Sequence, residues 1–241
     1  MKFTTQWFDE VDSTNTALLE RVRIDPELPS GTVWAARMQT AGRGRLERKW
    51  NSPPGRNLLC SLYYRSRAGS DRFPSLTMAV AIGIDELLHG FRIGSNLKWP
   101  NDVLVKGRKI AGLLAERTGE DGVVIGIGLN VNMTAEEASL IDQPATSLRI
   151  ETGTELMIDE VLKALLKRLP PWLLHWEEGG FSSLRERWIQ GCGGLNASVT
   201  IRHGERRVSG TLAGFGENGE LLLRLPDGHV QTVWTGDVVE G

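Results

Sequence analysis

The 241-residue chain is poor in the side chains that build redox frameworks and metal cages: it has two cysteines and four histidines. Cys60 and Cys192 stand far apart, which is neither a disulfide framework nor a zinc spacing, and suits a reducing compartment. His89, His175, His203 and His229 offer no pair two or four residues apart, so a metal cage is not expected. No apolar run reaches the roughly 18 residues of a membrane-spanning helix. Met1–Glu10 lacks the apolar core of a secretory signal. A cytoplasmic protein with no membrane partner is expected. Excess basic charge is missing as well: 28 Lys and Arg face 30 Asp and Glu, a net charge of −2. That balance disfavours general binding to phosphate backbones. Neither an internal repeat nor a Gly-x-Ser-x-Gly nucleophile elbow occurs.

What remains is an ordinary globular composition, 40% hydrophobic and 24% charged. At roughly 150 residues per domain, the length predicts one large domain or one large and one small. Asp12-Ser13-Thr14-Asn15 supplies side chains that accept from a first helical turn, so a helix is expected through Val22. Thr32–Met38 and Asn57–Tyr64 read as strands, and Leu76–Leu88 has helical spacing broken only by Gly83. Residues 97–132 read as a meander of short strands turning at Lys106-Gly107-Arg108 and at 118–122. Met157–Leu169 and Phe181–Ile189 return to helix, interrupted by Pro170-Pro171. After Gly191-Cys192-Gly193-Gly194 the texture becomes short strands between turns, predicting a small β-barrel over 195–241. The reading is α+β over 1–191, followed by a small β domain.

Three segments are candidates for chemistry. Gln39–Trp50 carries Arg43, Arg45, Arg48 and Lys49 against Glu47 alone. Gly42 and Gly44 permit close approach of a ligand to the backbone, and arginine forks match carboxylate or phosphate oxygens. The segment reads as an anion-binding loop; a solvated basic turn and an RNA-contacting Arg-Gly tract are the alternatives. No Gly-Lys-Ser/Thr closes it as a nucleotide P-loop. Lys98-Trp99-Pro100-Asn101-Asp102 makes a rigid corner that could present Asn101 and Asp102, or simply end a strand. Lys109-Ile110-Ala111-Gly112 places an ammonium at the start of an apolar strand, and Gly112 within that strand marks either a weakened ladder or a close ligand. Gly126-Ile127-Gly128-Leu129-Asn130 makes the same suggestion, with a β-bulge as the alternative.

In this order the motifs resemble the biotin–protein ligases. The resemblance runs over nearly the whole chain, through Gly219-Glu220-Leu221-Leu222 and Gly236-Asp237. It implies a mixed, largely antiparallel sheet with flanking helices of the class II synthetase kind, plus an SH3-like C-terminal β-barrel. It further implies two steps: biotin's carboxylate attacks the α-phosphate of ATP, with Mg²⁺ screening the phosphates, and a lysine of a biotin carboxyl carrier domain then takes the biotinyl group and expels AMP. By this resemblance Ser13, Thr14, Asn15, Gln39, Gly42, Arg43, Arg45, Lys109 and Gly112 hold biotin. Arg45, Arg48, Lys49, Trp50, Lys98, Asn101, Lys109 and Asn130 address ATP. Arg45, Arg48, Lys109 and Asp102 carry the chemistry, with Asp102, from its place on the corner alone, expected to receive or orient the target ammonium.

The family's loop commonly has glycine where this chain has Glu47, a carboxylate that can pair with Arg48 or Lys49. Only 11 residues precede Asp12, too few for the helix-turn-helix that some members carry, so no binding to DNA is expected; a homodimer is compatible with the resemblance. A lipoate or octanoate ligase or transferase of related fold, and a non-catalytic RNA-binding module, are the competing readings.

Overall fold

A computed structural model describes residues 1–46 and 48–240, without the side chains of Ser70 and Glu240. The Glu47 pairing expected above lies outside the described residues. β1 (Thr4–Val11) runs parallel to β2 (Thr32–Gln39), and the crossover between them is α1 (Thr14–Ile24). β3 (Leu58–Arg65) pairs antiparallel with β2. β4 (Asn96–Lys98), β5 (Asp102–Val105), β6 (Arg108–Thr118) and β7 (Gly122–Leu129) form the expected meander. Together they make a seven-stranded sheet of order β1-β2-β3-β7-β6-β5-β4.

Alternation along the central strands decides which face each helix covers. Leu58, Cys60, Leu62, Val123, Ile125 and Ile127 point to the main core, where α2 (Leu76–Gly90) lies. Tyr63 and Val124 point the other way, against Leu18, Leu19 and Val22 of α1. α2 is buried nearly all round because α5 (Ile158–Leu166), α6 (Leu169–Gly179) and α7 (Arg185–Cys192) pack behind it. Gly83 is therefore no breaker. A Cβ there would lie 2.6 Å from a methyl of Leu169, so the missing side chain lets α2 and α6 approach. α3 (Ala135–Ser139) and α4 (Leu148–Thr152) are single turns after β7.

One expectation needs correction. Pro170-Pro171 does not interrupt a helix but begins α6, because a first turn has no use for the N–H groups proline lacks. The N-terminal segment forms β1, where Trp7 stacks under Arg37 with 4.0 Å from guanidinium carbon to ring centroid.

β8 (Ser198–His203), β9 (Arg206–Phe215), β10 (Leu221–Arg224), β11 (Val230–Val233) and β12 (Asp237–Glu240) form the expected small antiparallel sheet, of order β11-β10-β9-β8-β12. It shares the main core. Phe215 stacks edge-on against Phe181 and Trp188, with ring centroids 6.2 and 6.1 Å apart. The Trp99 indole donates to Gly219 O at 2.9 Å, so the Trp-Pro corner, with a cis Trp99–Pro100 peptide, is keyed into the small sheet.

Asp85 on α2 is 1% exposed and accepts from Arg187 of α7 and from Ser95. Asp85→Ala leaves that guanidinium without its counter-ion and is expected to lower stability by about 3 kcal/mol. Urea unfolding followed by circular dichroism should show a lower midpoint at an unchanged denaturant slope.

Candidate active site

The site is built on the α1 face of the sheet, where register aligns four strands. Leu59, Gly128, Gly112 and Asp102 sit opposite one another in a single row across β3, β7, β6 and β5. Ser61, Gly126 and Leu114 form the neighbouring row. Glycines at 112, 126 and 128 open a trough in the sheet face. A Cβ on Gly128 would meet Trp50 Cε2 at 2.4 Å, and one on Gly112 would meet Trp50 Cζ3 and Lys109 Cε at 2.8 Å each. The Trp50 ring therefore lies directly on bare backbone. Its Nε1 is buried and has no hydrogen-bond partner among the described residues.

One end of the trough is polar. Ser13 caps α1, accepting from Thr16 N at 3.5 Å. Gln39 Oε1, at the end of β2, accepts from Thr14 N at 2.7 Å and from Thr14 Oγ1 at 3.0 Å. Ser61 Oγ lies 2.7 Å from Thr14 Oγ1 and 2.6 Å from Asn15 Oδ1. Asn15 Nδ2 donates to Glu116 at 2.9 Å, and Glu116 also pairs with Arg43. Ser13, Thr14, Asn15 and Ser61 are all buried.

The other end is cationic. The loop folds back on itself through Gly44 N to Arg48 O at 2.7 Å and Trp50 N to Gly42 O at 2.9 Å. Arg45 donates to Asn101 Oδ1 at 3.1 Å and to Gly236 O at 3.4 Å, and Arg48 pairs with Asp237. Burial lowers the Arg45 pKa against the pull of Asp237 and Asp102, yet a guanidinium stays charged. Lys109 Nζ is 2.8 Å from Asp102 Oδ1 and 5.5 Å from the Trp50 ring centroid. Ser13, Thr14, Asn15, Gln39, Arg43, Arg45, Arg48, Lys49, Trp50, Asn101, Asp102, Lys109 and Gly112 line one cleft with about 750 Å³ of empty space, its open mouth included. A second cavity of about 1200 Å³ on the same measure shares Arg48, Lys49, Trp50 and Lys109 with it and adds Asn130. Cys60 borders the cleft, but its side chain points into the main core, and burial pushes its thiol up to about 12, which removes thiolate chemistry at neutral pH.

Two expected site residues stand apart from the cleft lining. Lys98 continues the Leu59-to-Asp102 row onto the edge strand β4, opposite Asp102 and outside both linings. Gly42 shapes the loop instead: a Cβ there would lie 2.6 Å from Trp50 O. Asn130 does more than face the second cavity, since its Nδ2 donates to Thr146 O at 2.9 Å. Sequence reasoning missed Ser61, Glu116, Arg202 and the part played by Asp237. Only Ser61 left a local signal, a hydroxyl inside the apolar run Leu58–Leu62.

The backbone of Lys109 is strapped to residues 144–146, with Lys109 N donating to Pro144 O at 2.8 Å and Thr146 N to Lys109 O at 3.0 Å. Glu151, 4% exposed, secures the strap, accepting from Thr146 Oγ1 at 2.5 Å and pairing with Arg108 at 2.6 Å and Lys106 at 3.1 Å. Burial pushes its carboxyl up, but these donors together hold it below its ordinary 4.5. A depressed carboxyl stabilises the fold fully above that ordinary value and loses its contribution as pH falls through the lower folded value. Glu151→Gln is expected to melt lower than wild type at pH 7, with the gap narrowing as the pH drops below about 4. Scanning calorimetry across that range checks it.

Comparison with known proteins places this geometry in a family. The model of the biotin/lipoate A/B protein ligase family matches residues 7–132, which hold nearly all of the cleft. The chain is 34% identical to the bifunctional ligase/repressor BirA of Escherichia coli (strain K12), over 95% of this chain and 71% of BirA. It is 34% identical to the biotin–[acetyl-CoA-carboxylase] ligase of Paracoccus denitrificans, over 90% of this chain and 93% of that protein. The biotin protein ligase from Aquifex aeolicus, solved in complex with biotin and ATP, matches with a TM-score of 0.78 at 31% identity, covering 98% of this chain and 97% of that one. With its site-bearing segment matched by the family model and 90% or more of its length matched by these relatives, the chain belongs to the biotin/lipoate A/B protein ligase family.

Proposed function

We propose that the protein is a biotin protein ligase: it joins biotin to AMP at the expense of ATP, then passes the biotinyl group to a lysine of a carboxylase carrier domain. The observation that carries this reading is the trough itself, polar at one end, apolar over its glycine floor and cationic at the other. In the first step a biotin carboxylate oxygen bonds to the α-phosphorus, and the bond to pyrophosphate breaks with its electron pair. Both reactants are anions. Lys109, Arg45 and Arg48 lower their repulsion and stabilise the charge that builds as they meet. Mg²⁺ travelling with the phosphates supplies further screening.

The polar end suits a ureido ring. Ser61 has one hydroxyl proton for two neighbouring acceptors, Thr14 Oγ1 and Asn15 Oδ1. Acceptor capacity is left over for ureido N–H groups, which lipoate and octanoate lack. Trp50 and the floor of bare strand cover the thiophene and the chain. In the second step the carrier amine attacks the mixed anhydride and AMP leaves with its phosphate oxygen. Asp102, which holds Lys109 in the free enzyme, is positioned to take the incoming ammonium. Residues 1–191 form the catalytic unit, and 195–241 complete it.

Exchange of labelled pyrophosphate into ATP is the test, run in parallel with biotin, lipoate and octanoate. Biotin alone should support exchange, and Lys109→Met should slow it by about 100-fold or more. Exchange driven equally by lipoate would overturn the choice of substrate. Asp102→Asn should slow transfer to carrier more than it slows exchange; an unchanged transfer rate removes Asp102 from that step.

A further inference from the structure

Three arginines from two separate parts of the chain meet on one carboxylate. Arg45 Nη1 lies 3.9 Å from Asp237 Oδ1, Arg202 Nη2 lies 4.0 Å from Asp237 Oδ2, and Arg48 pairs directly with that same oxygen. Arg45 and Arg48 come from the loop, whereas Arg202 and Asp237 lie opposite each other on β8 and β12 of the small sheet. Among the described residues, Asp237 faces three guanidinium groups and Asp102, which acts on Arg45, is already paired with Lys109, so positive charge is in surplus there. Arg202 is 43% exposed and lines the second cavity with Arg48, Lys49, Lys109 and Asn130, while Asp142 is the one carboxylate among its described lining residues.

Resting on the adenylation reading above, we infer that Arg202 binds the terminal phosphates of the nucleotide, the pyrophosphate that leaves in the first step, and that Asp237 holds the three arginines in place until they arrive. The two cavities share Lys109 and Arg48. A nucleotide with its α-phosphate at Lys109 in the first cavity can therefore run its β- and γ-phosphates into the second, toward Arg202. When the bond from the α-phosphorus to the bridging oxygen breaks, the electron pair stays on pyrophosphate, and a guanidinium there meets the charge as it forms. A gathered set of donors also avoids the entropy of collecting three long side chains at the moment of binding.

The readout is nucleotide length. Binding of α,β-methylene-ATP and of AMP to the whole protein, measured by titration calorimetry, should separate the roles. Arg202→Ala should weaken the triphosphate analogue by about 10-fold and leave AMP unchanged, and Arg202→Lys should recover part of the loss. Exchange kinetics should show the KM for pyrophosphate rising with the KM for biotin unmoved. Equal affinity of wild type and Arg202→Ala for the analogue overturns the inference, as does an equal loss for AMP, which marks a merely structural role. A wild-type protein that binds neither nucleotide sinks the adenylation reading, a different outcome from a variant that fails to differ.

Discussion

The site depends on the closeness of an indole to bare backbone. Gly112 and Gly128 face each other across β6 and β7, and Trp50 lies on them with no room for a methyl group between. Glycine inside a strand weakens the ladder, and here the loss is set against two buried faces. α1 covers one side of the sheet beside the trough, and α2 with three helices behind it supports the other. A rigid, doubly supported sheet can tolerate a gap that a two-layer sheet with one wet face could not.

Charge is arranged by the same logic of local support. Four of the cations at the trough have a carboxylate within reach: Arg43 has Glu116, Lys109 has Asp102, and Arg45 and Arg48 have Asp237. The pairs whose arginine is about half-exposed, Arg43 with Glu116 and Arg48 with Asp237, contribute little to stability. Their value is positional, because a guanidinium or ammonium already held near its working place loses less freedom when an anionic substrate replaces the carboxylate. The cost is competition: every internal pair must be given up for a substrate contact.

The motifs legible in the sequence are those in which one stretch of chain holds both the chemistry and its signal. The loop's Arg-Gly alternation, the Trp-Pro corner and the glycines inside apolar strands all fall at the cleft, and Ser13 caps the helix expected there. What stayed hidden was pairing across the sheet. Nothing near Glu116 says that it will hold both Asn15 and Arg43, and nothing near Arg202 announces a loop more than 150 residues earlier. Lys98 stands outside the cleft lining although its motif neighbours Asn101 and Asp102 line it, because the strand it occupies is the sheet's edge. Pro170-Pro171 misled because proline ends or begins a helix according to context that the dipeptide does not carry.

The place of Asp237 in chain order has its own consequence. The cleft's other lining residues all lie at or before Gln143. During synthesis the arginine loop and the glycine floor can therefore form while the carboxylate that gathers them is still to be made. Until β12 pairs with β8, Arg45 and Arg48 lack that carboxylate, whereas Arg43 already has Glu116 within reach. The charge arrangement of the site thus depends on a strand made after the sheet that bears it.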